Sequence, residues 1–477
     1  MNDPDPGSHE IAYLQVGEAQ ERIRGGTLSV SSWVETLSNR VEAIGNTPFV
    51  TNAIAHWERD VELDPQYADG PLAGVPVVIK DSIESQGFPA TAGAGALVGR
   101  PARDAELVTR LKKAGALVIG STNLSAWANL RSTHSTSGWS PVGGLVANPW
   151  ALDRSSGGSS SGCGAALAAG YAPLAVGTET DGSIVCPSSF HGVVGIKPTV
   201  GAISRKGVVP ISTSQDSPGP MARSVKDVAL LLNVLSGSSH DATPTPLRVS
   251  VLEWSCGSDK TDALVRDVVA ALGKEGHSVT TSSVPAPTGN VWEDELTVLL
   301  CEMADELDAY LKERPGSGVS SLAEVIAYEK AHADVELRYF GHELFERALA
   351  MGGRAHPDYA GARARNLSWA ITECLNPALE GADVVVTSCY APAWKSDLVL
   401  GDPGGMLSSG ISSPAGIAGW PIASVPIGLV DGLPVGLAIV GRAGAEESVL
   451  RFAASVERLV DLRLVLDNPT WKLPQRG

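Results

Sequence analysis

Cysteine is scarce and never clustered: six residues (Cys163, Cys186, Cys256, Cys301, Cys374 and Cys389) fall along the chain with no CxxC pair and no tight framework. In 477 residues that scatter excludes a disulfide scaffold and reads as free thiols in a reducing compartment. Basic residues also fall short, with 36 Lys and Arg against 53 Asp and Glu, for a net charge of −17. Nucleic-acid binding needs a basic face, so no such partner is expected, and the acidic excess reads as a solubility device. Membrane-spanning runs are missing too. The longest uncharged stretches, Ser155–Thr178 and Pro403–Val430, are rich in Ser and Gly and broken by Pro, which makes poor spans. The first ten residues are polar and acidic, so no secretory signal is expected. These exclusions point to a soluble, cytoplasmic protein without a membrane partner. What is present is a globular composition, 43% apolar and 19% charged, sufficient for a large core.

Apolar positions at helical spacing (Ile11, Leu14, Val16; Trp33, Val34, Leu37, Val41) predict two helices between Ile11 and Ile44, separated by Gly25-Gly26. Gly74-Val-Pro-Val-Val-Ile-Lys80 reads as a buried strand with a lysine at its end. A helix over Ala105–Ala114 then leads into a second buried strand, Ala116–Gly120, the rhythm of an open sheet covered on both faces. Between Ser155 and Pro198 the composition turns to Gly, Ser and Ala. A glycine-rich loop, a small-residue helix at Ala165–Ala169, a strand from Leu174 and a second tight loop ending at Ser183 are expected there. Helices return after Ser224 and between Val291 and Leu375, and strands close the chain at Ala382–Thr387, Ala423–Ile427 and Gly436–Val440. The expectation is one α/β domain over 1–477: a large mixed twisted sheet with helices on both faces, built from both chain halves. A helical cover is inserted at about 240–380.

Familiar catalytic patterns mostly fail. Gly158-Ser-Ser-Ser-Gly162 matches a Gly-x-Ser-x-Gly elbow centred on Ser160, but loop chemistry (Asn148-Pro-Trp-Ala-Leu-Asp-Arg) rather than a strand precedes it. No lysine follows a serine by three positions, and His342-Glu343 lacks the second histidine of a zinc-protease helix. No phosphate loop is present, and Gly93–Gly99 does not follow the strand that a dinucleotide loop requires. His134 and His191 lie in loop contexts without a carboxylate to orient them, and read as structural. What remains is a lysine at the end of a buried strand, Lys80, followed by two glycine-rich serine loops. Serine needs a base to take its proton, and a lysine serves only if burial destabilises its ammonium form. Glycines around a serine let successive N–H groups converge into an oxyanion-holding nest. Taken alone, Lys80 would read as a snorkelling lysine or one paired with Asp81.

The blocks Leu72-Ala-Gly-Val-Pro-Val-Val-Ile-Lys-Asp-Ser82, Ala114–Asn123, Gly157–Gly162, Gly177-Thr-Glu-Thr-Asp-Gly-Ser-Ile-Val-Cys-Pro187, Gly195–Thr199 and Asp216–Ser224 occur in this order. With Ala418-Gly-Trp-Pro421 and Gly432–Gly436, they resemble the amidase signature family over nearly the whole chain. Thr178–Pro187, Ser321–Ala327 and Glu336–Leu344 look like the peptide amidase branch, whose members remove C-terminal amides from peptides. The resemblance implies the amidase signature fold, with Lys80 as base, Ser159 as a bridging serine associated with a cis peptide bond, and Ser183 as nucleophile 24 positions later. Backbone N–H groups of Thr180, Asp181, Gly182 and Ser183 would form the oxyanion hole, and no metal or organic cofactor is implied. The implied reaction is hydrolysis of a small-molecule or peptide amide through an acyl-enzyme. The alternatives are capture of that acyl group by an amine, and a role as one subunit of an amidotransferase.

Two stretches depart from the family pattern. Asp181 stands where many members carry a glycine, and is expected to hydrogen-bond within its own loop. Thr387–Trp394 lacks the usual Pro-Thr strand ending, which implies an altered substrate choice where that strand borders the pocket; Leu407–Ser413 reads equally as a second wall or as a surface loop.

Overall fold

The computed structural model describes residues 6–45, 51–99, 103–285, 289–313, 318–403 and 410–460. Strands follow in chain order as β1 Ile54–Trp57, β2 Pro76–Lys80, β3 Leu117–Thr122, β4 Trp139–Ser140, β5 Gly144–Leu145, β6 Leu174–Glu179, β7 Val194–Lys197, β8 Ser217–Ala222, β9 Arg248–Leu252, β10 Ser278–Ser282, β11 Val384–Ser388, β12 Ile422–Val430 and β13 Leu433–Val440. Eleven form one mixed sheet in the order β1-β3-β2-β6-β8-β7-β12-β13-β11-β9-β10, while β4 and β5 make a separate pair. The apolar run of β2 is buried at all five positions and lies parallel to both neighbours, β3 and β6. A continuous β-branched run suits such a central strand, which has no solvent face.

Both faces of the sheet are covered, as the alternation along β13 demonstrates. Leu437 and Ile439 pack in one core with Phe452 and Val456 of helix Glu446–Leu459. Ala438 and Val440 pack in another with Val185 and Phe190 of helix Val185–His191. Successive strand side chains point to opposite faces, so these two helices lie on opposite sides. The chain's halves meet where β7 pairs antiparallel with β12, Lys197 opposite Ile422.

Two expectations change. The N-terminal segment forms three helices, Pro6–Ala12, Val16–Arg24 and Val30–Gly45, not two. The extra break has a tertiary cause: Val16 N–H, which a continuous helix would direct at Ala12, donates to the Asp227 carboxylate at 3.3 Å, and the Ala12 carbonyl accepts from Arg223. The segment 240–380 is not wholly a helical cover. Its first part, β9, helix Asp259–Lys274 and β10, extends the main sheet with parallel pairing to β11. The edge strand β10 is Ser-Val-Thr-Thr-Ser and largely exposed, so it carries no apolar run to announce it. Helices occupy the stretch from Val291 to Ala378.

Candidate active site

Because β2 and β6 are parallel neighbours, their carboxyl ends open on one edge of the sheet, where ligand crevices form in open α/β folds. Lys80 ends β2 and is fully buried, and that burial lowers its ammonium pKa from 10.5 to about 8, against opposing effects of Cys163, Asp216 and Glu179. Its Nζ lies 2.7 Å from Ser159 Oγ, 2.8 Å from Thr178 Oγ1 and 3.2 Å from the Thr178 carbonyl oxygen. A neutral amine has two N–H donors and one lone pair. With both donors on Thr178, the lone pair faces the Ser159 hydroxyl. Asp81 does not pair with Lys80. Adjacent strand residues point to opposite faces, and the Asp81 carboxylate instead takes the Thr91 hydroxyl and N–H.

Ser159 Oγ lies at hydrogen-bond distance from Ser183 Oγ, 3.0 Å, so the three sequence-selected side chains form one continuous chain. The Gly158–Ser159 peptide is cis, as the resemblance implies. Ser160, centre of the elbow-like string, is turned away: its hydroxyl donates to the Thr178 carbonyl at 3.1 Å and accepts from the Thr178 N–H at 3.2 Å.

The loop Thr180–Ser183 is pinned from both ends. The Glu179 carboxylate accepts the N–H groups of Ile184 and Val185 at 2.6 and 2.9 Å, fixing the start of the helix that follows. The Thr180 hydroxyl donates to Asp216 at 2.6 Å, and Asp216 in turn accepts the N–H groups of Ile211 and Ser212. Between these anchors, the N–H groups of Gly182 and Ser183 meet no protein acceptor among the described residues. Gly182 has φ of +79°, and a Cβ there would sit 2.5 Å from the Tyr390 hydroxyl oxygen. Asp181, expected to bond within its own loop, reaches out of it. Its two oxygens take the hydroxyls of Ser412 and Ser413 at 2.7 and 2.6 Å, tying the loop to helix Ser412–Ala418.

Ser183 faces a cavity of about 360 Å³ walled by Gly158, Thr180, Asp181, Tyr390, Trp394 and one face of helix Val291–Lys312, among others. The departure at Thr387–Trp394 therefore does border this space, through Tyr390 and Trp394. Leu407, Ser408 and Ser409 of the expected second wall lie outside the described residues, and Ser412 and Ser413 act through Asp181. The sequence reading missed the helical wall, Trp292, Glu295, Leu296 and Leu299. Their 3-1-3 spacing marks one helix face, yet nothing local tells which space that face looks into. His134 lines the cavity. His191 is buried elsewhere with Nδ1 on the Pro187 carbonyl at 2.8 Å. His342 and Glu343 are braces, bonded to Glu329 and to the Ser132–Thr133 turn. Among the described residues, no group of three or more His, Cys, Asp or Glu is placed to hold a metal ion, and no helix is long and apolar enough to cross a membrane. The six cysteines are unpaired thiols.

Comparison with known proteins follows the same outline. The native peptide amidase of Stenotrophomonas maltophilia superposes with a TM-score of 0.85 at 35% identity, over 95% of this chain and 98% of that one. A glutamyl-tRNA(Gln) amidotransferase subunit from Symbiobacterium thermophilum is 34% identical over 94% of this chain and 96% of its own length. A probable amidase of Arabidopsis thaliana is 33% identical over 89% and 86%. Residues 34–450 match the Amidase family as a whole, and the chain is an enzyme of that family.

Proposed function

We propose that this enzyme hydrolyses linear amides by way of an acyl group on Ser183, with peptide C-terminal amides as its substrates. The observation that carries the reading is the unbroken chain of contacts from Lys80 Nζ through Ser159 Oγ to Ser183 Oγ, 2.7 and 3.0 Å. Neutral Lys80 takes the Ser159 proton as Ser159 takes that of Ser183, and Ser183 Oγ attacks the amide carbonyl. Negative charge on the carbonyl oxygen is met by the N–H groups of the Thr180–Ser183 loop, including the two with no protein acceptor. The proton returns through Ser159 to the departing nitrogen, the C–N bond breaks, and water cleaves the ester by the reverse sequence. The likeness to a peptide amidase over almost the full length of both chains supports terminal amides as the substrate class.

The likeness to amidotransferase subunits favours a second reading, in which the released ammonia passes to a partner-bound acceptor. An amide donor bearing a free carboxylate would, however, meet a cavity lined by Asp181, Glu295 and Asp402 with no lysine or arginine among the described residues. Ammonia release from amidated dipeptides by the purified chain alone tests the proposal. Activity only with an added partner protein would favour the second reading, and amide formation from added amines would favour acyl transfer.

A further inference from the structure

Helix Val291–Lys312 presents Trp292, Glu295, Leu296 and Leu299 to the cavity in front of Ser183. Glu295 is the anomaly on this face: a carboxyl only 4% exposed, where apolar neighbours make charge costly. One of its oxygens accepts from Gln215 Nε2 at 2.8 Å. The other takes no hydrogen bond among the described residues. No lysine or arginine among the described residues lines the cavity beside it. The Arg363 guanidinium acts on Glu295 only through its charge, while its Nη1 donates to the Asn366 side chain and the Ile417 carbonyl. A second carboxylate, Asp181, lines the same cavity two residues before Ser183, where it accepts the hydroxyls of Ser412 and Ser413.

Resting on the amide-hydrolase reading above, we infer that Glu295, with Asp181 beside it, is a specificity determinant that selects amides whose acyl part carries a positive charge, a protonated amine or guanidinium. A bound cation would supply both the hydrogen-bond donor that the second Glu295 oxygen lacks and the charge that this acidic cavity lacks. Burial and the neighbouring Asp181 push the Glu295 carboxyl well above its ordinary range, a cost to its charged form that a bound cation would offset. The aromatic wall of Trp292 and Trp394 suits the aliphatic stem of such a side chain and adds a cation-attracting face.

The test compares Nα-acetyl-lysinamide with Nα-acetyl-norleucinamide, which have the same carbon chain with and without the ammonium group. The expected result at low salt is kcat/KM about tenfold or more higher for the lysine amide, the effect of one desolvated charge pair. In Glu295→Gln that ratio should fall towards one. Equal or better use of the norleucine amide by the unmodified enzyme overturns the inference without needing any variant. Loss of both activities in Ser183→Ala alongside a ratio of one would leave the hydrolase reading standing and the inference refuted. Turnover of neither amide by the unmodified enzyme would overturn both.

Discussion

On the mechanism proposed above, the pH dependence of turnover reports how far the fold has displaced one lysine. In the proposed mechanism Lys80 enters as a base, so only its neutral form would be competent. Burial lowers its pKa to about 8, a displacement equivalent to about 3 kcal/mol. At that value about 9% of the enzyme is competent at pH 7, about half at pH 8 and about 90% at pH 9. The ratio kcat/KM for a neutral, non-titrating amide should therefore rise about tenfold between pH 7 and pH 9 and then level off. An unperturbed lysine would instead give a rise of about a hundredfold over the same interval, continuing towards pH 10. Stability carries the same signature. The folded-state pKa lies below the unfolded one, so from about pH 8 to 10.5 the unfolded chain binds more protons, and stability gains as pH rises through that window. Stopped-time ammonia assays across pH 6–10, with denaturant melts of the enzyme and of Lys80→Met, check both. A profile flat from pH 6 to 10 would refute the assignment of Lys80 as base, and one of unit slope throughout would refute its lowered pKa.

Replacing Ser183 with Ala should lower turnover by at least about 10⁴-fold with the fold intact, and remove the acyl adduct seen by intact-mass spectrometry. Ser160→Ala should remain active but lose about 1–2 kcal/mol in a urea melt, because the Thr178 backbone loses its partner, whereas Ser159→Ala should be severely impaired. A dead Ser160 variant beside a live Ser159 variant would restore the elbow pattern. Gly182→Ala should cost about 1–3 kcal/mol in strain and most of the activity, since φ is +79° and the new methyl meets the Tyr390 hydroxyl. A fully active, undestabilised Gly182→Ala would argue against a rigid oxyanion loop.

Much of the site is legible in the sequence because its signals are local. Pro76–Lys80 reads as a buried strand from its own residues, and the glycine-serine loops stand out from any neighbouring composition. Lys80 can be weighed only in combination with those loops, since a lone lysine gives no sign of which face it occupies. The partners of Asp181 cannot be read, because Ser412 and Ser413 lie more than 200 positions away and are brought in by the β7–β12 junction. The third N-terminal helix is hidden for a similar reason: Asp227 and Arg223, distant in sequence, compete for the groups that would have continued it. Strand β10 is hidden by its position, an exposed edge that needs no apolar pattern.

The division of labour across the sheet has an evolutionary reading. Lys80, Ser159, Thr178 and Ser183 all sit on the β2–β6 side of the molecule, whereas Trp292, Glu295, Tyr390 and Trp394 arrive from chain that follows β8. The aromatic and helical part of the cavity wall is thus encoded apart from the lysine and the two serines, and folding brings the two together. Changes within the stretch that follows β8 can reshape the cavity while leaving the lysine and the two serines untouched. Relatives that share the lysine and the two serines need share no diet.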